Sequence, residues 1–219
     1  MQGHFELHTH SFLSDGALLP SELVRRAAVK GCIAIAITDH ADASNLDELV
    51  RALVRLAEEQ SAVFPVRFIP GVELTHVPPE IIPKLARRAK DLGARLVVVH
   101  GETIVEPVPP GTNRAAVECP DVDILAHPGF ITLEEASIAA QNGVYLEITS
   151  RKGHCLTNGY VAKVARAAGA KLVVNSDAHE PKDLLNLEMA RKVARGAGLD
   201  EGEILAATHT NPMELMEKI

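Results

Sequence analysis

Short apolar runs alternate with amphipathic segments along most of this chain. Seven runs have the length of a strand and most are rich in Val and Ile; they cover residues 5–8, 32–38, 66–74, 95–100, 122–126, 144–148 and 171–175. Because these runs are apolar on both faces, they predict strands buried on both sides, as in a parallel sheet covered by helices.

The segments between the runs have helical spacing. In the first, residues 20–29, apolar Leu23, Val24 and Ala27 share one face, and Gly31 marks the stop. Five more predicted helices cover residues 46–59, 80–92, 133–141, 159–168 and 188–197, and a glycine lies just past four of these five. This alternation implies βαβ units and predicts a closed or nearly closed (β/α) barrel. An open, doubly wound sheet is the competing architecture, and periodicity does not separate the two.

The composition narrows the class of protein. A chain of 219 residues, 47% hydrophobic, fits one domain with a sizeable core, and aromatic residues are only 3%, so the core must be aliphatic. The net charge of -7 excludes the broad basic surface of non-specific nucleic-acid binding, although not a local positive site. The sequence shows no membrane span and no signal peptide, and its three well-separated cysteines fit reduced thiols. The expected location is the cytoplasm.

Ten histidines outnumber all the aromatic residues, and most of them follow predicted strands. Six of the seven strand ends carry side chains that can bind metal: His8, His10, Asp15, His40, Glu73, His100, His127, Asp177 and His179. The sixth strand instead ends in the polar but less ligand-like segment 147–151. Because the active site of a (β/α) barrel gathers at the carboxyl ends of its strands, these nine residues should converge on one pocket.

The types and spacing of these residues indicate metal binding. Residues two apart on a strand face the same side, so His8 and His10 can bind one ion. A lone histidine at a strand end is usually structural, but this many ionisable groups in one dry pocket would be costly without metal. At about three protein ligands per catalytic ion, nine ligands serve about three divalent metal ions, and zinc, iron and manganese all suit the mixed ligands. Asp39 and Ser176 adjoin ligands and are expected to orient them, whereas His4, His76, His154 and His209 match no metal position.

These motifs resemble those of the PHP (polymerase and histidinol phosphatase) superfamily. The residues that carry the resemblance are Glu6-Leu7-His8-Thr9-His10 with Asp15, Thr38-Asp39-His40, Glu73, His100, His127-Pro128, Asp177-Ala178-His179 and the closing segment 210–215. The resemblance implies a single PHP domain over residues 1–219, folded as a distorted (β/α)7 TIM-like barrel with a trinuclear metal site. By position it implies one ion at His8, His10, Glu73 and Asp177, a second at Glu73, His100 and His127, and a third at Asp15, His40 and His179.

The mechanism expected at such a centre is attack on phosphorus by a metal-activated hydroxide, with the ions neutralising charge on the phosphoryl oxygens. Asp15 or His179 is the candidate for protonating the leaving oxygen. Arg151, Lys152 and His154 follow the sixth strand on the same face and are the candidate substrate contacts, since a guanidinium can grip phosphate with two donors. A solvated basic loop is the alternative interpretation of this segment.

Three functions fit this centre. The favoured one is hydrolysis of a small phosphomonoester, such as histidinol phosphate or a nucleotide. The alternative is a nuclease or phosphodiesterase, for which the chain lacks a long basic run or an aromatic stacking stripe. A metal-dependent amidohydrolase resembles the sequence less well, because that group typically carries a carboxylated lysine on a middle strand. The expected partner is thus a small phosphoester; nucleic acid is not favoured, no membrane is expected and the oligomeric state is open.

Overall fold

The computed structural model of the chain describes residues 3–219 and contains eight strands, all parallel. In chain order they are β1 (His4–Glu6), β2 (Cys32–Ile37), β3 (His40–Ala41), β4 (Arg67–Leu74), β5 (Leu96–His100), β6 (Ile124–Ala126), β7 (Tyr145–Thr149) and β8 (Leu172–Asn175). The hydrogen-bonded order is β1-β2-β4-β5-β6-β7-β8, and the two-residue β3 continues the line of β2 and pairs with β4. The seven predicted runs therefore form seven neighbouring strands of one sheet.

The sheet curls until its first and last strands nearly meet. Thr9 and Ala178 form an isolated parallel bridge beyond the ends of β1 and β8, and the backbone N–H of His10 donates to the carbonyl of Ala178 at 2.9 Å. Below this bridge, the side chain of Asn175 accepts from the backbone N–H of Leu7 at 3.0 Å. The structure is thus a nearly closed (β/α)7 barrel, which confirms the predicted fold and excludes the open doubly wound sheet.

Helices cover the outside of the barrel. They are α1 (Pro20–Val29), α2 (Leu46–Gln60), α3 (Ile82–Asp91), α4 (Thr112–Glu118), α5 (Leu133–Asn142), α6 (Asn158–Ala168), α7 (Leu187–Gly196), α8 (Glu201–Leu205) and α9 (Asn211–Lys218). Short 3-10 turns at Pro79–Ile81 and His154–Thr157 precede α3 and α6, and a π-helical turn at Ala206–Thr210 joins α8 to α9. No helix within residues 3–219 combines the length and apolar character needed to cross a membrane.

The core consists of two aliphatic layers. The inner layer fills the barrel with side chains such as Leu7, Ile69, Val98 and Ile124, and the outer layer packs the helices onto the opposite face of the strands. Strands buried on both faces explain why the runs lack polar alternation. With the barrel filled by aliphatic residues, the polar side chains collect at its carboxyl end.

Candidate metal centre

All nine predicted ligands meet at the carboxyl end of the barrel. They lie in the loops or last positions after β1, β2, β4, β5, β6 and β8. Contacts of at most 3.9 Å between ring nitrogens and carboxylate oxygens link eight of them, and the ring of His100 lies 4.5 Å from that of His127, centre to centre. The strand β1 ends at Glu6, so His8 and His10 do not share a strand face as predicted. Both lie just past its end, on either side of Thr9, whose bridge to Ala178 fixes the chain, and both approach Asp177 Oδ1, at 3.8 and 3.1 Å.

Two buried carboxylates occupy the middle of the centre. Glu73 Oε1 lies 3.3 Å from His8 Nε2, and Glu73 Oε2 lies 2.6 Å from His40 Nδ1. Asp177 Oδ1 lies 3.1 Å from His10 Nε2, and Asp177 Oδ2 lies 3.7 Å from His127 Nε2. Each carboxylate thus faces two imidazoles from different strand ends.

Asp15, His40 and His179 form a second group at the open side of the centre, which we call the outer triad. The carboxylate Oδ1 of Asp15 lies 3.5 Å from His40 Nε2 and 3.3 Å from His179 Nε2, and the two imidazole nitrogens are 3.4 Å apart. Four ligands around a zinc ion at about 2.1 Å lie about 3.4 Å from one another. The triad therefore has the spacing of three ligands that share one ion.

The loop after β1 is shaped to deliver Asp15. The carboxylate of Asp39 accepts hydrogen bonds from the backbone N–H and hydroxyl of Ser11 and from the hydroxyl of Ser14, each at 2.6 Å. At Gly16, a Cβ atom would lie 2.2 Å from the carbonyl oxygen of His10, so only glycine allows the loop to fold this tightly. Asp39 thus holds the loop that carries Asp15, whereas its position beside His40 predicted that it would orient that histidine.

Backbone strain is concentrated at two of the candidate ligands. His127 and Asp177 have φ angles of 27° and 54°, in the left-handed region that non-glycine residues rarely adopt. Such conformations cost roughly 1–3 kcal/mol and persist where the surroundings hold them in place, which is common at functional sites. The strained backbone turns both side chains from the strand ends into the centre.

Glu147 on β7 is a functional residue that the sequence analysis passed over. Its Oε1 accepts from His8 Nδ1 at 2.8 Å and from the amide of Asn175 at 2.9 Å, and its Oε2 accepts from the backbone N–H of His127 at 3.2 Å. A carboxylate on the far nitrogen of an imidazole fixes the ring and leaves Nε2 free to bind metal. The interior position of Glu147, two residues before the end of β7, was the signal that could have identified it.

A further group surrounds Glu106, which lies in the Pro-rich loop after β5. Its carboxylate oxygens lie 3.2 Å from His100 Nε2, 3.3 Å from His154 Nε2 and 3.2 Å from His76 Nε2. His154 is 6% exposed, and its ring lies 4.2 Å from the ring of His127, centre to centre. Sequence reasoning placed neither residue at the centre: Glu106 stands in a loop six residues past the end of β5, and His76, two residues past the end of β4, matches no metal position of the resembled family.

The pKa values of the buried side chains at the centre depart from their usual values in opposite directions. Burial raises the pKa of Asp177 to about 7, with the charge of Glu73 adding to the rise. Burial and the charges of neighbouring histidines hold the pKa values of His10 and His127 well below their usual range. Burial alone would lower the pKa of His40, but the adjacent Glu73 carboxylate raises it to about 8. A buried cluster that mixes protonated and neutral groups in this way is typical of sites that exchange protons for cations.

The residues fit divalent metal ions. His8 Nε2, His10 Nε2, Glu73 Oε1 and both ring nitrogens of His127 are buried and have no hydrogen-bond partner among residues 3–219. Such orphaned atoms are rare in proteins and require an explanation. Although these atoms approach one another closely, they do not align as donor and acceptor, as is expected of ligands that point at a common ion.

The predicted substrate contacts lie beside the centre in different environments. Arg151 is partly exposed and its guanidinium lies 3.5 Å from Asp183, whose carboxylate also accepts from the backbone N–H of His179 at 3.2 Å. Lys152 is exposed and His154 is buried.

Ser176, which was predicted to orient a ligand, donates its backbone N–H to Glu6 at 2.8 Å in the seam between β1 and β8, behind the centre.

Comparison with known proteins agrees with this geometry. The PHP domain profile matches residues 4–117. An uncharacterized protein of Methanocaldococcus jannaschii is 53% identical over 98% of this chain and 99% of its own length. A probable phosphatase of Thermoanaerobacter sp. is 30% identical over 91% of this chain and 89% of its length, and Ribonuclease P protein component 3 of Methanosarcina mazei is 30% identical over 93% and 85%.

The fold is also found among solved structures. A chain in the cryo-EM structure of archaeal Ribonuclease P with mature tRNA superposes with a TM-score of 0.67 at 18% identity, covering 97% of this chain and 89% of that one. Identity this low establishes a common fold and no more.

Proposed function

The chain belongs to the PHP domain family, and from this premise we propose that it is a metal-dependent hydrolase of a small phosphomonoester. The observation that carries the proposal is the convergence of nine ligand-type side chains on one end of the barrel, with buried, unpaired atoms on four of them, His8, His10, Glu73 and His127. All nine come from one barrel, which supports a single PHP domain over residues 1–219.

We assign the side chains to about three divalent ions of zinc, iron or manganese. His8, His10, Glu73 and Asp177 hold the first, Glu73, His100 and His127 the second, and the outer triad of Asp15, His40 and His179 the third. When bound, such ions lower the pKa of coordinated water and draw negative charge from phosphoryl oxygens.

Side chains of the centre have separate roles in the proposed reaction. Glu73 lies between His8 and His40, so it can bridge neighbouring ions and keep their spacing fixed. Asp15 is the most exposed of the nine side chains, at 57%, and faces the open side together with His179. These two residues are the candidates to protonate the leaving oxygen of the ester, because substrate must enter from that side.

Substrate recognition is assigned to the segment after β7. Arg151 stands at the rim beside Asp183 and can release that carboxylate to grip an incoming phosphate with two donors. The adjacent Lys152 is exposed and free to add a positive charge at the rim.

A screen for released phosphate tests the proposal. Protein loaded with zinc, iron or manganese would be offered histidinol phosphate, nucleoside monophosphates, sugar phosphates and short oligonucleotides, and metal content would be measured on the same sample. We expect turnover of at least one phosphomonoester, its loss after chelation and its return with metal. Unchanged activity after chelation and dialysis to zero metal would refute the metal-dependent mechanism.

An RNA-directed phosphodiesterase is the second candidate. It is favoured by the relatives named Ribonuclease P protein component 3 at 30% identity. Against it stand the net charge of -7 and the pairing of cations near the centre with acids, Arg151 with Asp183 and Lys182 with Glu180. Cleavage of the oligonucleotides alone would reverse the order of the two candidates.

A further inference from the structure

The pocket around Glu106 has the make-up of a metal site beyond the nine residues already assigned. We propose that His154 and Glu106 join His100 and His127 as ligands of the second ion, which closes that ion to substrate and makes it the most firmly held of the centre. This inference rests on the proposed function, because it concerns one ion of the same centre.

The distances from Glu106 to His100 and His154 are those expected of ligands that share one ion. Glu106 Oε2 lies 3.2 Å from His100 Nε2, and Glu106 Oε1 lies 3.3 Å from His154 Nε2. Both separations are close to the roughly 3.4 Å between ligands of one tetrahedral zinc ion. The ligand atoms of His100, His127 and His154 also lie within 4.8 Å of one another.

Imidazole nitrogens without a hydrogen-bond partner lie in the same pocket. His127 is 2% exposed and both its ring nitrogens lack a hydrogen-bond partner among residues 3–219, as does Nδ1 of the buried His154. His100 uses its Nδ1 to donate to the carbonyl oxygen of Gly101 at 3.2 Å, which leaves Nε2 free as a ligand atom. His127 thus presents unpaired nitrogens to this small volume, and His100 and His154 both turn Nε2 toward the carboxylate of Glu106 beside it.

The fold holds Glu106 against this volume. At the base of its loop, Glu102 Oε1 accepts from the backbone N–H groups of Gly111 and Asn113, and the Asn113 side chain accepts from the N–H of Glu102. The loop also packs on the segment that bears His154, because a Cβ atom at Gly153 would lie 3.2 Å from Val105. The anchored backbone of these two segments therefore holds Glu106 and His154 next to each other.

The consequence is a difference between ions within one centre. The second ion would have five protein ligands counting Glu73, whereas the outer triad offers three, with Asp15 57% exposed. Closed ligand sets are typical of structural ions and open ones of catalytic ions. The ion of the outer triad is thus the one that substrate reaches and that a chelator removes first.

Timed chelation tests the assignment. Zinc-loaded wild-type protein would be exposed to excess chelator, and the zinc left on the full-length chain would be measured over time. We expect fast loss of most ions and slow loss of about one per chain. His154→Asn and, separately, Glu106→Gln should speed the slow phase at least tenfold, the lower end of the range for loss of a group that supports a metal. The matched controls are His209→Asn, in the π-helical turn before α9 where its ring packs on Phe5, and Glu118→Gln, on the exposed side of α4.

The outcomes separate the two proposals. If both variants keep the slow phase of the wild type, or if the wild type loses every ion in one fast phase, His154 and Glu106 are not ligands while the phosphoesterase proposal stands. If the wild type binds none of zinc, iron and manganese, the proposed function itself fails. Thermal melts of each variant guard against misfolding, and the exposed loop position of Glu106 supplies a variant that does not disturb the core.

Discussion

Replacing Glu147 by glutamine tests whether the centre depends on the carboxylate that holds His8. The carboxylate accepts three hydrogen bonds through two oxygens, and glutamine has only one acceptor oxygen. If that oxygen keeps the two bonds at the Oε1 position, the new amide faces the backbone N–H of His127 and donor meets donor.

The magnitude follows from these contacts. Loss of one hydrogen bond to a buried charged group costs about 1.5–3 kcal/mol of folding free energy. Loss of the negative charge also weakens His8 as a ligand, because Glu147 helps to raise the pKa of that imidazole above its usual value against the opposing effect of burial. Removal of such a supporting group lowers metal affinity about 10–100-fold.

Competition with a chromophoric chelator would measure zinc affinity, and urea unfolding of the metal-free protein would measure stability. Glu6→Gln is the matched control: Glu6 is equally buried and accepts a backbone N–H from Ser176, but its carboxylate contacts none of the assigned ligands. We expect both variants to lose stability and only Glu147→Gln to lose zinc affinity. Equal zinc affinity in Glu147→Gln and wild type would refute the role given to this carboxylate.

Three further predictions concern the open side of the centre. Asp39→Asn should cost about 1–2 kcal/mol of stability and lower kcat, because one of three hydrogen bonds to the loop of Asp15 is lost; unchanged unfolding and kinetics would contradict it. Arg151→Ala should raise KM roughly tenfold with little change in kcat, and steady-state kinetics showing the same KM would indicate a solvated basic loop. With the pKa of His40 raised to about 8 by Glu73, against the opposing effect of burial, a proton must leave before metal binds, so zinc affinity should fall about tenfold per pH unit below pH 8. Chelator competition that gives a flat profile between about pH 6 and pH 8 would exclude this proton exchange.

The sequence predicted the barrel well because its signals are local. Each buried parallel strand is a continuous apolar run. The ends of the six predicted helices agree with those of α1, α2, α3, α5, α6 and α7 to within two residues. The seven-residue α4 was missed because it follows directly on the Pro-rich segment, and α8 and α9 were missed because a π-helical turn interrupts their periodicity.

The residues of the candidate site also fall into two groups, those that local sequence signals identify and those that they do not. His8, His100 and Asp177 stand at or within two residues of strand ends, where parallel strands bring side chains to one end of the barrel. Glu147 lies inside a strand and Glu106 in a long loop, so their place at the centre depends on how β7 faces the barrel interior and how the loop is anchored. For Glu106 this relation leaves no periodic trace in the chain, whereas a lone charged residue inside the apolar run of β7 marks Glu147.

The central claim is that the carboxyl end of this barrel holds divalent metal ions, and anomalous X-ray diffraction from metal-loaded crystals tests it most directly. Data collected at the absorption edge of the loaded metal would locate each ion without reference to any assay of activity. The account predicts anomalous peaks between Glu73 and His8, beside His100 and His127, and within the outer triad. Loaded crystals without a peak among these side chains, or with peaks only at the protein surface, would contradict it.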